Sequence, residues 1–194
     1  LKKLFLRIFG ILIVLAGGIF IFKNSHLNVT YEIGQEIDSF NNIPVYYNGN
    51  VGNIDGRQLT NDGYNLGLKY QCVEFVKRYY YEHLNHKMPD SYGHAKDFFN
   101  PSVKDGKINK QRNLLQYTNL SVSKPKVNDL VIYSGNIFNK FGHVAIVTKV
   151  LENEIEIIQQ NPGPYNNSRE TYKLIYSNNK WYIDNHRIIG WLRK

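Results

Sequence analysis

The feature that most restricts this chain is the succession of short β-branched and aromatic runs after Pro125. They lie at residues 130–133, 143–150, 155–161, 171–176, 181–183 and 187–192, each parted from the next by turn residues. Runs of this length and make-up form strands, and their spacing predicts an antiparallel meander. A turn centred on Glu152 sets opposite each other residues whose numbers sum to about 304 (152 + 152), so that His143 faces Asn161 and Ala145 faces Gln159. Side chains alternate across a strand, which puts His143, Ala145, Val147, Ile155, Ile157, Gln159 and Asn161 on one face, apolar in its middle and polar at one end. That polar end is a candidate site.

A helix is predicted over residues 72–84. Cys72, Phe75, Val76, Tyr79, Tyr80 and His83 fall at helical spacing, and Glu74, Lys77, Arg78 and Glu82 take the other face. Cys72 is the single cysteine and opens this helix. A helix N-terminus offers free N–H groups and positive potential, which favour the reactive thiolate. A lone cysteine is more often a small buried hydrophobe, so position alone does not make it a nucleophile. Among six histidines, His143 starts a strand, follows a glycine that permits close backbone approach, and has side-chain amides expected beside it. Taken alone, the Gly142-His143 pair also fits a satisfied core histidine. His83 and His86 read as surface or edge histidines, since nothing nearby completes a metal set.

Residues 25–68 are rich in Asn, Gly, Asp and Tyr, with one strand-like run at 43–47. The cluster from Asn48 to Gly56 carries side-chain oxygens of the kind a calcium loop uses, but it lacks a closing bidentate Glu, so turn chemistry is the expectation. Residues 87–124 read as irregular connection with a short helical piece near 94–99, and are a candidate lining for a substrate groove.

The N-terminal segment differs in kind. Lys2, Lys3, Arg7 and Lys23 flank an apolar run at residues 8–22, and no acidic residue precedes Glu32. The run extends to membrane-spanning length through Leu4, Phe5 and Leu6 if Arg7 snorkels. The division expected is a membrane anchor or signal at 1–25 and one catalytic domain at 26–194. An uncleaved anchor is preferred, because apolar residues rather than a polar start follow Ala16-Gly17-Gly18. Leading basic residues put the N-terminus in the cytoplasm and the domain outside a single-pass cell-membrane protein. Of the net charge of +8, four charges flank the anchor, which leaves 8 − 4 = +4 on the rest. That residue of charge, without clustered Lys and Arg between aromatics, argues against a nucleic-acid partner.

Five runs occur in order: Tyr70-Gln71-Cys72-Val73-Glu74-Phe75, Pro125-Lys126-Val127-Asn128-Asp129-Leu130, Gly142-His143-Val144-Ala145-Ile146-Val147, Gln159-Gln160-Asn161 and Ile188-Ile189-Gly190-Trp191. Together they resemble the signatures of the CHAP family, the cysteine, histidine-dependent amidohydrolases and peptidases, over roughly residues 40–192. Within that family they are most similar to the amidase domain of glutathionylspermidine synthetases. The resemblance implies an α+β, papain-like fold, with N-terminal helices packed on an antiparallel sheet. It further implies Cys72 as nucleophile and His143 as base, acting without a metal or other cofactor. Gln159 and Asn161 are the candidates for orienting the imidazole, and Gln71 joins the Cys72 N–H as a candidate donor to the oxyanion. Where many family members have Glu-Gln-Asn, this chain has Gln159-Gln160-Asn161. An amide still accepts the imidazole's second N–H, but it stabilises an imidazolium less than a carboxylate does.

Three functions follow as expectations. The first is a membrane-anchored amidase or endopeptidase acting on cell-wall peptidoglycan. The second is a hydrolase of a small amide such as a glutathionyl-polyamine conjugate. The third is a binding protein that keeps the fold without turnover.

Overall fold

A computed structural model describes residues 2–24, 31–163 and 166–194. In chain order these form α1 (Lys2–Asn24), β1 (Glu36–Phe40), β2 (Ile43–Tyr46), β3 (Arg57–Leu59), β4 (Asn65–Leu68), α2 (Cys72–Glu82) and a 3-10 turn (Ala95–Phe98). There follow β5 (Lys107–Asn109), β6 (Leu114–Thr118), β7 (Leu130–Tyr133), β8 (His143–Val150), β9 (Glu154–Ile158), β10 (Arg169–Ser177), β11 (Lys180–Ile183) and β12 (Ile188–Arg193). The class is α+β, with two α-helices among the described residues and one large antiparallel sheet ordered β11-β10-β9-β8-β7-β12-β6-β5.

The period-2 pattern divides this sheet's side chains between two cores. Val144, Ile146 and Ile158 point to one face, where they meet Phe75, Val76, Tyr79 and Tyr80 of α2. Ala145, Val147, Ile155 and Ile157 point to the other and join Tyr133, Leu174, Ile183 and Trp191. Because both faces are covered, Val144 to Val147 are all fully buried, as expected of a strand that reads as a continuous apolar run. This second core runs along the sheet from Leu174 of β10 to Trp191 of β12, with three strands between them in the sheet order.

The meander holds from β7 to β11. β12 then departs from it, crossing back to pair with β7 on one side and β6 on the other. Gly190 makes that insertion possible, since a Cβ there would stand 2.1 Å from the Tyr117 carbonyl oxygen. Strands β5 and β6 occupy the stretch expected to be irregular. Of their three buried positions one, Leu114, is apolar and two are amides: Asn109 and Gln116 are fully buried, and the Gln116 Oε1 accepts from Asn109 Nδ2 and from the Asn100 N–H, both at 2.9 Å. Strands in which most of the buried residues are amides carry little hydrophobic alternation to read.

The charged face of α2 is largely interior. Glu74, Lys77 and Arg78 are buried rather than solvated. Glu74 and Arg78 pair one turn apart at 2.6 Å, and Arg78 also donates to the Pro44 carbonyl at 2.9 Å. Lys77 lies over the Tyr64 ring and donates to the carbonyls of Asn65 and Ser91. Burial, reinforced by Arg112 and Arg57, brings its pKa down to about 7. His86 is also interior, with Nε2 against the Arg112 carbonyl at 2.9 Å. Helix α1 is long and apolar enough to cross a membrane, with a 20-residue stretch, Lys2–Ile21, of mean hydropathy 2.6. The expected boundary at residues 25 and 26 lies outside the described residues.

Candidate active site

The start of α2 is set by an unusual backbone. Tyr70 adopts φ 62°, a left-handed conformation that a bulky residue takes only where its surroundings impose it. Gln71 then returns to an extended conformation as N-cap, and its carbonyl accepts the first helical N–H, that of Phe75, at 3.2 Å. Its side chain does not cap the helix. Gln71 Nε2 donates to the carbonyls of Asn53 at 2.7 Å and Val51 at 3.3 Å, while its Oε1 accepts from Asn161 Nδ2 at 2.8 Å.

Cys72, the first helical residue, is half-buried as a residue, yet its thiol is packed as in an interior. Burial pushes the thiol up to about 11, and the backbone N–H groups of Val144, Val73 and Cys72 itself only partly offset that. The helix terminus is where the sequence predicts it, but desolvation outweighs the terminus, so the free site holds a thiol rather than a thiolate.

His143 enters from the opposite side. Gly142, at φ +76°, has its Cα so close to the end of β7 and to the 3-10 turn that a Cβ would stand 2.5 Å from the Tyr133 carbonyl oxygen and 2.9 Å from Lys96 Cβ. That approach seats the His143 ring 5.6 Å from the Tyr133 ring. His143 is buried, and its Nε2 pairs with Gln159 Oε1 at 3.0 Å. Gln159 Nε2 donates away from the ring, to the Asn167 carbonyl at 3.0 Å. Oε1 is therefore the acceptor, the imidazole proton is assigned to Nε2, and Nδ1 keeps its lone pair. Burial lowers the histidine pKa to about 4; the Gln159 bond raises it a little, and the Arg187 charge lowers it further.

The register differs from expectation in one respect. Ile146 pairs with Ile158 and Val147 with Ile157, each summing to 304, but Thr148 bulges out and the pairs beyond it sum to 305. β9 ends at Ile158, and His143 reaches Gln159, the diagonal neighbour, rather than Asn161. Asn161 turns at φ 53° toward α2, where it bonds Gln71 and, at 3.1 Å, the Val51 carbonyl. Apart from Cys72, the expected residues thus fall into two hydrogen-bonded pairs, His143 with Gln159 and Gln71 with Asn161.

Gln160, between those two groups, is the residue that sequence reasoning passed over. It is fully buried, accepts from the Tyr46 N–H at 2.7 Å, and donates to the Gln71 carbonyl at 3.1 Å and to Glu74 Oε2 at 2.9 Å. The alternation that put 159 and 161 on one face put Gln160 on the other, facing α2, and that was its signal.

A cavity of about 170 Å³ opens beside this group, lined among others by Tyr31, Tyr46, Val51, Asn161 and Asn167 but not by Cys72 or His143. No cluster of three or more His, Cys, Asp or Glu suited to a metal occurs among the described residues. In the loop after Tyr47, Asn48 Nδ2 donates to the Asn50 carbonyl at 2.7 Å and Asn50 Oδ1 accepts from Gly52 N–H at 2.9 Å, which is turn chemistry.

Comparison with known proteins bears on this geometry. A family model, CHAP domain, matches residues 61–161, just over half of the chain, and so includes Cys72, His143, Gln159 and Asn161. Trypanothione synthetase of Crithidia fasciculata is 31% identical over 119 residues, covering 61% of this chain and 18% of that protein. Glutathionylspermidine synthase of the same organism is 30% identical over 142 residues, covering 66% of this chain and 19% of that protein. The chain thus spans under a fifth of the length of these curated relatives. The crystal structure of Ly7917 is similar at 15% identity with a TM-score of 0.38, covering 64% of this chain and 53% of that one, and at that score it carries no argument.

Proposed function

The chain belongs to the CHAP domain family, and from that membership we propose that it is a thiol-dependent amide hydrolase with Cys72 as nucleophile and His143 as general base. The observation that carries this reading is the seat of the Cys72 thiol at the head of α2, against the N–H of Val144, the residue next to His143. A papain-like arrangement, with the nucleophile on a helix and the base on the sheet, is part of the proposal.

The chemistry begins from neutral partners. Nδ1 of His143 takes the proton as Sγ of Cys72 attacks the amide carbon, so charge separates only when the bond forms. The resulting oxyanion is met by the Cys72 N–H. For Gln71 to help, its Nε2 must give up the Asn53 carbonyl. The imidazolium then protonates the departing nitrogen, the C–N bond breaks, and a thioester remains. His143 next takes a proton from water; the hydroxide cleaves the thioester, releasing the acid and restoring the thiol. Gln159 holds the ring throughout, and Asn161 braces the loop that carries Val51.

The substrate proposed is an amide of cell-wall peptidoglycan. Its support is α1, whose length and leading Lys2 and Lys3 suit a single-pass anchor at 1–25 with the domain at 26–194 outside the cell. The relatives favour a second reading, hydrolysis of a glutathionyl-polyamine amide, since one of them is a glutathionylspermidine synthase. The test is digestion of purified peptidoglycan by the detergent-solubilised full chain, with the new amino and carboxyl ends identified by mass spectrometry. New ends that disappear in Cys72→Ala support the first reading. Intact wall, with glutathione and spermidine released from glutathionylspermidine, supports the second. Neither reaction, together with a Cys72 inert to iodoacetamide, would refute hydrolysis and leave a binding protein.

A further inference from the structure

Behind the amide that holds His143 stands a carboxylate for which the mechanism above has no use. Gln159 Nε2 donates to Glu170 Oε2 at 3.3 Å as well as to the Asn167 carbonyl, so both amide hydrogens are directed away from the imidazole. Glu170 is the second residue of β10, two before Tyr172, whose hydroxyl donates to the same Oε2. Burial first, and then Glu170, hold that hydroxyl's pKa up to about 12, so it remains a donor.

The orientation of Gln159 matters because a primary amide has two unlike ends of nearly equal size. With Oε1 toward the ring, the imidazole must carry its proton on Nε2, and Nδ1 is free to accept from the thiol. Turned over, the amide would present N–H, the proton would move to Nδ1, and the base would be blocked. A carboxylate accepts and never donates, so it discriminates between the two orientations. We propose that Glu170 is a positioning residue that, with the Asn167 carbonyl, fixes the Gln159 amide and through it the His143 tautomer. The proposal rests on the reading of His143 as the base.

A consequence concerns the position that departs from the family's Glu. A carboxylate placed at 159 alone would stand against Glu170, and like charges at that separation repel. The two positions are therefore expected to change together: an amide at 159 requires an acceptor at 170, and a carboxylate at 159 requires a donor there.

The test uses the full chain with three variants, Glu170→Leu, Gln159→Glu and the double variant Gln159→Glu/Glu170→Gln. Histidine ¹⁵N chemical shifts report the tautomer of His143 independently of any substrate, and release of ends from purified peptidoglycan reports turnover. Glu170→Leu should introduce Nδ1–H tautomer and lower turnover about tenfold, the order expected for loss of one charge-assisted hydrogen bond, with little change in thermal midpoint. Gln159→Glu alone should lose stability and activity, and the double variant should recover both with a raised histidine pKa. A Glu170→Leu protein with unchanged tautomer, or a double variant no better than Gln159→Glu, would overturn the proposal. If Glu170→Leu does not fold, the double variant decides alone. A shifted tautomer without any hydrolysis by the parent chain would instead overturn the assignment of His143 as base and leave Glu170 as its positioning partner.

Discussion

The free site should be electrically quiet, and alkylation of Cys72 measures this directly. The thiol, at about 11, and the imidazole, at about 4, are separated by 11 − 4 = 7. At about 1.4 kcal/mol for each unit, moving the proton from sulfur to nitrogen costs about 10 kcal/mol before the charges attract. The attraction between two unit charges, about 4 kcal/mol for a roughly 4 Å separation at an effective dielectric near 20, offsets less than half of that cost, so the neutral pair dominates. Iodoacetamide suits the assay, because Cys72 is the single cysteine and every adduct is its own. The rate should climb about tenfold with each pH unit from 7 to 10, as a simple thiol ionisation requires, with no plateau at lower pH. His143→Ala should leave that climb largely intact while abolishing hydrolysis. A flat, fast rate between pH 5 and 8 that vanishes in His143→Ala would reveal a standing thiolate–imidazolium pair and refute the argument from burial.

Three further expectations follow from the packing. Gln160→Ala strands the Tyr46 N–H and removes the donor to Glu74, so urea denaturation should show a loss of about 2–4 kcal/mol, whereas an unchanged midpoint would remove Gln160 from the support of α2. Lys77 has its folded pKa lowered to about 7 from 10.5, so the unfolded chain binds more protons between those values and stability should rise with pH across that window, by at most about 1.4 kcal/mol per unit. Lys77→Met should abolish that slope in urea titrations at pH 7, 8 and 9, and a slope equal to wild type would contradict the assignment. Protease added to intact, wall-stripped cells should degrade the domain beyond α1, and full protection would contradict the external location.

What the sequence disclosed depended on whether an element announced itself through apolar side chains. β7, β8 and most of β9 were legible because Val144 to Val147 alternate between two apolar cores that Ile155, Ile157 and Ile158 join, and the hairpin sum of 304 held as far as Thr148. The bulge beyond it was not legible, since Thr148 satisfies Glu156 through its hydroxyl, a contact with no periodic signature. β5 and β6 were missed because Asn109 and Gln116 fill two of their three buried positions and leave Leu114 as the only apolar one. The burial of the charged face of α2 was not legible for a related reason: Glu74 and Arg78 pair in the interior and Lys77 finds two carbonyls, contacts that spacing along the helix does not disclose. In the site, strand alternation put His143, Gln159 and Asn161 on one face but set Asn161 opposite the histidine; that Gln159 takes the ring instead, while Asn161 turns to Gln71, depends on a left-handed φ beyond the end of β9.

The central claim, that Cys72 forms a covalent acyl intermediate, is tested most directly by acid quenching of the full chain during digestion of peptidoglycan, followed by mass spectrometry of the Cys72 peptide. The account requires a thioester adduct on Cys72 that hydroxylamine removes and that is absent from Cys72→Ala. Sustained amide hydrolysis by Cys72→Ala, with no adduct on the parent protein, would contradict it.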